Sequence, residues 1–144
     1  MLRVAKELDC DALAEISKRN VQPSWSAQDF LDAIHNPQAK VFLWEEEKVC
    51  GYGVLYFAAD EGEIPSIAVD LEFRRRGFAQ KIFAAMEEFA KEEKLRRIFL
   101  EVRESNEGAI AFYKRNDFSE VGRRPKFYHD PTEDGLILER NLTC

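Results

Sequence analysis

The sequence predicts a mixed α+β domain in which a central, mostly antiparallel sheet carries helices on both faces. Three observations lead there. Short apolar runs recur along the 144 residues, bounded by polar turns, as strands do. Between them lie segments of helical periodicity, the longest from Ala79 to Lys94. That segment stands between two strand-like runs, Glu63 to Val69 and Arg97 to Arg103, and a strand–helix–strand crossover joins parallel neighbours. Short turns join most other runs, which therefore pair antiparallel.

The elements follow in order. Leu2 to Ala5 reads as a first strand. Asp9 or Asp11 can cap a helix to about Arg19, with Leu13, Ile16 and Ala12 as candidates for its inner face. Pro23-Ser24-Trp25-Ser26 is a loop, and Ser26 with Asp29 forms a shortened capping box for a helix carrying Phe30, Leu31 and Ile34. That helix stops near Asn36-Pro37. Lys40 to Glu45, Val49 to Ala58 and Glu63 to Val69 then read as an antiparallel meander.

The long helix places Ile82, Phe83, Met86, Phe89 and Ala90 on one stripe, with charged residues opposite. In Arg97 to Arg103, Ile98, Leu100 and Val102 share one face, and Phe99 and Glu101 the other. Ser105 or Asn106 caps a short helix that ends at Asn116-Asp117, where a left-handed residue is needed. Phe118 to Gly122 and Leu136 to Asn141 are the last strands, joined by a polar connector over 123–135.

The length predicts one domain, residues 1–144, large enough for a core. An apolar fraction of 45% with eleven Phe excludes a disordered chain. The charge balance, 21 − 27 = −6, disfavours nucleic-acid binding and is compatible with a basic partner. The three cysteines, Cys10, Cys50 and Cys144, form no zinc or redox spacing, so no metal is expected; Cys144 falls at a terminus where fraying is the default. Cysteine usage, no signal-peptide pattern and no long apolar run lead us to expect a cytoplasmic chain away from membranes.

The most informative stretch is Arg74-Arg75-Arg76-Gly77-Phe78-Ala79, a turn between a strand and a long helix. Unpaired N–H groups at a helix start point outward, and the helix dipole favours negative charge there. Gly77 allows a ligand close to the backbone. The turn therefore predicts a phosphate or pyrophosphate site; a merely solvated basic turn is the alternative.

These residues resemble the GNAT superfamily of N-acetyltransferases, whose signature Q/R-x-x-G-x-G/A is matched by Arg74 through Ala79. The likeness extends to element order over nearly the whole chain and implies a GNAT-type fold that binds acetyl-coenzyme A. The backbone of Ile67, Ala68 and Val69 would pair with the pantetheine arm. Arg74, Arg75, Arg76, Gly77, Phe78, Ala79 and Gln80 would form the turn around the pyrophosphate. Three blocks narrow the likeness: Pro23 to Ser26 followed by Phe30, Ile67 to Asp70, and Leu100 to Asn106 followed by Ala109 to Tyr113. They resemble the RimI-type ribosomal-protein-alanine N-acetyltransferases, which acetylate protein N-termini. By position Glu101 would be the general base and Tyr113 the general acid, with Asn106 helping to bind the cofactor. The acceptor would be a basic protein N-terminus, of a ribosomal protein in the narrowest reading.

The chemistry suits these residues. A protein α-amino group has a pKa of about 8 and lysine about 10.4, so at pH 7 deprotonation costs roughly 1.4 and roughly 4.6 kcal/mol respectively. One modest carboxylate therefore serves an N-terminus. A half-dry face would raise the pKa of Glu101, and Tyr113 carries a proton at pH 7. Glu101 could equally pair with Arg97 or Arg103, and Tyr113 could be a core tyrosine. Trp25 and Tyr128 are candidates for acceptor contact, Trp25 also for the core. A small-amine or lysine acetyltransferase and a non-catalytic acetyl-coenzyme A sensor are the competing functions.

Overall fold

The computed structural model describes residues 1–142; Cys144 lies outside the described residues. Its strands are β1 (Leu2–Val4), β2 (Ala39–Glu45), β3 (Val49–Ala58), β4 (Glu61–Val69), β5 (Arg97–Arg103), β6 (Ser119–Tyr128) and β7 (Glu133–Asn141). The helices are α1 (Cys10–Asn20), α2 (Ala27–His35), α3 (Phe78–Glu92) and α4 (Glu107–Arg115). The strands form one sheet in the order β1-β2-β3-β4-β5-β7-β6. Among the described residues only β4 and β5 run parallel, across the α3 crossover; every other pair is antiparallel. The predicted order of elements is the observed one.

Strand alternation divides the core into two layers. Val41 and Leu43 of β2 with Tyr52 and Val54 of β3 pack against Leu13, Ile16 and Phe30 from α1 and α2. Phe42, Leu55, Ile98, Leu100 and Val102 meet Ile82, Phe83 and Met86 of α3 on the opposite face. Each such fully buried side chain contributes about 1.5–3 kcal/mol by leaving water. Cys10 and Cys50 are buried free thiols. No helix among the described residues is long and apolar enough to cross a membrane.

Local chemistry sets the boundaries. Ser26 Oγ accepts from Asp29 N–H at 3.1 Å while Asp29 accepts from Ser26 N–H at 2.9 Å, so the shorter Asp completes the capping box of α2. Asp117 takes the left-handed conformation after α4, with φ of 69°. The start of α1 differs from expectation. Asp9 does not cap it by its side chain, because Arg3 holds that carboxylate in two bonds of 2.8 and 2.9 Å and Lys6 N–H in a third. Ala12 is exposed; Cys10 and Ser17 take the inward positions beside Leu13 and Ile16.

The connector over 123–135 is also a correction, since most of it is strand. β6 runs on to Tyr128 and β7 starts at Glu133, making a long hairpin. β6 is an edge strand with mostly exposed side chains, so burial imposes no alternation on its sequence. Its antiparallel ladder with β7 holds it, and Arg123 adds ion pairs to Glu104 and Asp134 at 2.9 Å each.

Between β3 and β4 the register shifts. Val54 pairs with Ser66 but Tyr56 with Glu63, so two steps on β3 match three on β4. The extra residue falls at Ile64-Pro65, a β-bulge where Pro65 offers no N–H. Parallel pairing of β4 with β5 ends at Glu63–Phe99, whereas β5 stays paired with β7 along its whole length. The two parallel strands therefore fork.

Gly53 provides a test of the α3 layer. An added Cβ there meets Met86 Sδ at 2.5 Å and Ile82 Cγ2 at 2.9 Å. Gly53→Val is expected to lower stability by about 1–3 kcal/mol through overpacking, read as an earlier urea midpoint with an unchanged slope.

Candidate active site

The fork opens a cleft of about 860 Å³. One wall is β4 from Glu63 to Ile67, the other β5 from Glu101 to Arg103; the Asn20–Trp25 loop, the start of α4 and Tyr128 complete it. Past Glu63, β4 has a partner strand only on its β3 side, so its other backbone edge faces the fork.

Glu101 projects into the cleft from the β5 face opposite Ile98, Leu100 and Val102. Burial lifts its pKa above the ordinary carboxylate value, Arg124 pulls it down and Glu63 pushes it up. Its Oε1 lies 3.1 Å from Arg124 Nε. Its Oε2 is buried without a hydrogen-bond partner. The partner is neither Arg97, which pairs with Glu61 and Glu139, nor Arg103, which pairs with Glu133.

Tyr113 lines the same cleft from α4 and is almost wholly buried, packed against Phe112 and Phe118. Burial drives its pKa far up, and no hydrogen bond contributes to the shift, so its proton is retained at any physiological pH. Asn106 caps α4, its Oδ1 accepting from Ala109 N–H at 3.2 Å, and it also lines the cleft. Trp25 serves two surfaces, packing on Phe30 and Tyr56 while facing the cavity. Tyr128 stands near Glu101 with burial raising its own pKa. The fold thus gathers Ile67, Glu101, Asn106, Tyr113, Trp25 and Tyr128 around one space.

Residues 74–80 lie outside that lining, at the far end of β4 beyond a single 3-10 turn at Leu71–Phe73. Gly77 has φ of 79°, and a Cβ there would meet nothing within 4 Å. No side chain caps α3, and the first helical bond is made by Lys81 to Gly77 O, so the N–H groups of Phe78, Ala79 and Gln80 precede the ladder. The side chains divide. Arg74, though exposed, is tied back along the surface, donating to Val69 O at 3.0 Å and Asn20 Oδ1 at 2.9 Å. Phe78 is core, stacked on Trp44, and Gln80 exchanges two amide bonds with Asn116. Arg75 and Arg76 remain exposed beside the open backbone. Ala68 belongs to the α1–α2 layer, and Val69 is buried, so both can offer a ligand only their main chain.

Three features escaped the sequence reading. Pro65 in mid-strand signals the bulge that opens the fork. Arg124 reaches Glu101 only because the connector is strand. Asp29, Asp32 and Glu63 form an acidic side of the cleft, and among the described residues none makes an ion pair.

A fork lined by a carboxylate and a protonated phenol, with an uncapped helix N-terminus beyond the far end of β4, suits a transferase that joins two substrates. The chain matches the acetyltransferase (GNAT) family over residues 6–118. It is 31% identical over 132 residues to a putative ribosomal protein bS18-alanine N-acetyltransferase of Bacillus subtilis, covering 90% of this chain and 87% of that relative. It is 28% identical over 127 residues to the ribosomal protein bS18-alanine N-acetyltransferase of Escherichia coli, covering 88% and 84% respectively. The crystal structure of the ribosomal-protein-S18-alanine N-acetyltransferase from Escherichia coli superposes with a TM-score of 0.91 over 100% of this chain and 94% of that one, at 24% identity. The protein belongs to the GNAT family. It has the GNAT fold and is an acetyl-coenzyme A-dependent N-acetyltransferase of RimI-like type.

Arg124 gives the site a pH test. Arg124 favours the ionised form of Glu101. Arg124→Met removes that cation, so the pKa of Glu101 is expected to rise; an acidic limb of kcat/KM that follows it to higher pH is the outcome expected of a base at this position. A pH–rate profile of both proteins checks the direction.

Proposed function

We propose that the protein acetylates the α-amino group of a protein N-terminus, with Glu101 as base and Tyr113 as acid. The observation that carries this reading is the partnerless, buried Oε2 of Glu101 in the same cleft as Tyr113. An acceptor that is already largely close to its neutral form needs only such a carboxylate.

The single-edged stretch of β4 suits the pantetheine arm, with Ile67, Ala68 and Val69 offering main-chain groups. The open turn suits the pyrophosphate: Arg75 and Arg76 supply charge, Gly77 supplies approach, and the amides of Phe78, Ala79 and Gln80 supply donors. The amine nitrogen attacks the thioester carbonyl while its proton passes to Glu101. The C–N bond forms, the C–S bond breaks, and the departing sulphur takes a hydrogen bond and then a proton from Tyr113, which regains one from solvent. A thiol has a pKa of about 8.5, below that of Tyr113, so the phenol works first as a hydrogen-bond donor to the growing thiolate. Asn106 holds the α4 terminus at the cofactor side of the cleft. Trp25 and Tyr128 flank the acceptor.

The acidic side formed by Asp29, Asp32 and Glu63 favours a basic peptide after the acetylated residue. The names of the bacterial relatives point to a ribosomal protein beginning with alanine.

Acceptor profiling tests the assignment. An Ala-starting basic peptide is expected to be acetylated in preference to polyamines and internal lysine; turnover of small amines alone would sink it. Tyr113→Phe is expected to slow turnover about 10²–10⁴-fold with acetyl-coenzyme A affinity kept. Glu101→Gln is expected to lose most rate at low pH, where less of the amine is neutral. Gly77→Glu is expected to abolish acetyl-coenzyme A binding by calorimetry, through charge repulsion and loss of backbone access.

A further inference from the structure

Arg103 ends β5 with its side chain only 14% exposed, and every arm of its guanidinium is engaged. Nε donates to the carbonyl of Gln22 at 3.1 Å. Nη1 donates to the carbonyl of Pro131 and to Glu133 Oε2, both at 3.0 Å. Nη2 donates to the carbonyl of His129 at 2.9 Å. The plane itself sits over the Tyr128 ring, 4.5 Å from its centroid.

These partners belong to two separate segments beside the cleft: Gln22 lines it, and His129, Pro131 and Glu133 follow Phe127 and Tyr128, which line it. Gln22 is in the loop between α1 and α2; His129, Pro131 and Glu133 are at the turn between β6 and β7. No strand pairing joins the two segments. Glu133 extends the arrangement toward α4, accepting from Ser105 N–H at 2.9 Å and Ser105 Oγ at 3.0 Å.

We infer that Arg103 is a positioning residue that fastens these two segments beside the acceptor cleft to each other and sets the Tyr128 ring in its wall. The inference rests on the acceptor reading given above. The physical reason is geometric: a planar fork of donors can bond carbonyls on both sides while its face stacks on a ring. Lysine offers a point charge with neither plane nor divergent donors, so it cannot reproduce the fastening. Lost hydrogen bonds free two loops, and the entropy of re-ordering them falls on acceptor binding. The cofactor turn lies at the other end of β4 and is untouched.

Arg103→Lys and Arg103→Met test this in two independent ways. Hydrogen exchange needs no substrate: both variants are expected to exchange faster at 21–25 and 128–133 while β3 and α3 keep wild-type protection. Unchanged exchange in either loop, or a uniform rise across the sheet, would overturn the inference. In turnover assays the KM for an Ala-starting peptide is expected to rise about tenfold or more, with kcat and acetyl-coenzyme A affinity near wild type. An equal loss for both substrates with a lowered Tm would reduce Arg103 to a stability role and also overturn it. If the wild-type protein acetylates no peptide, the acceptor reading fails by itself, and the exchange result still decides the fastening.

Discussion

Two parallel strands remain joined only while each offers the other a regular row of N–H and C=O groups. β4 ceases to do so at Ile64-Pro65, where an extra residue breaks its register with β3 and proline withholds a donor. β5 is fixed independently by β7 and the α3 layer, so it does not follow. The resulting fork is the condition for the rest of the site. It frees one backbone edge of β4, admits Glu101 and Tyr113 to a common space, and lets the Asn20–Trp25 loop and Tyr128 close the rim.

The electrostatics follow from that geometry. Glu101 lines the cleft on the β5 face opposite the α3 layer, buried enough to be desolvated, while Arg124 beside it favours its ionised form. Tyr113 is buried more deeply and keeps its proton. Environment, more than residue type, therefore separates the protonation states of the two groups.

A second network ties the turn before α3 to the cleft. Asp70, buried at the end of β4, accepts from Arg19 Nη2 at 2.7 Å and Asn20 Nδ2 at 2.9 Å, and Arg74 bonds Asn20 in turn. Arg19 chiefly holds the Asp70 carboxyl below the usual carboxylate range. Ion pairs of this kind add little net stability but fix orientation, here of α1 against the turn that leads to Gly77. The same Asn20 lines the cleft, so one side chain adjoins both the cleft and that turn.

Local periodicity was enough to read most of the fold. The 3.6-residue stripe of α3, the alternation of β5, the Ser26–Asp29 box and the Asp117 exit are properties of neighbours in sequence, and all are seen. The Arg74–Ala79 turn and its open Gly77 were legible for the same reason. Asp9 stands at the N-cap of α1 as expected, but Arg3 captures the carboxylate that would have capped it, and the 123–135 segment was misread because β7 makes strand of a charged, unpatterned edge. The sequence by itself determined the elements, their order and the chemistry available to them. Only the tertiary structure decided that Glu101 answers to Arg124, that Arg74 reaches Asn20, and that Arg103 spans two loops, because those contacts join residues with no local pattern in common.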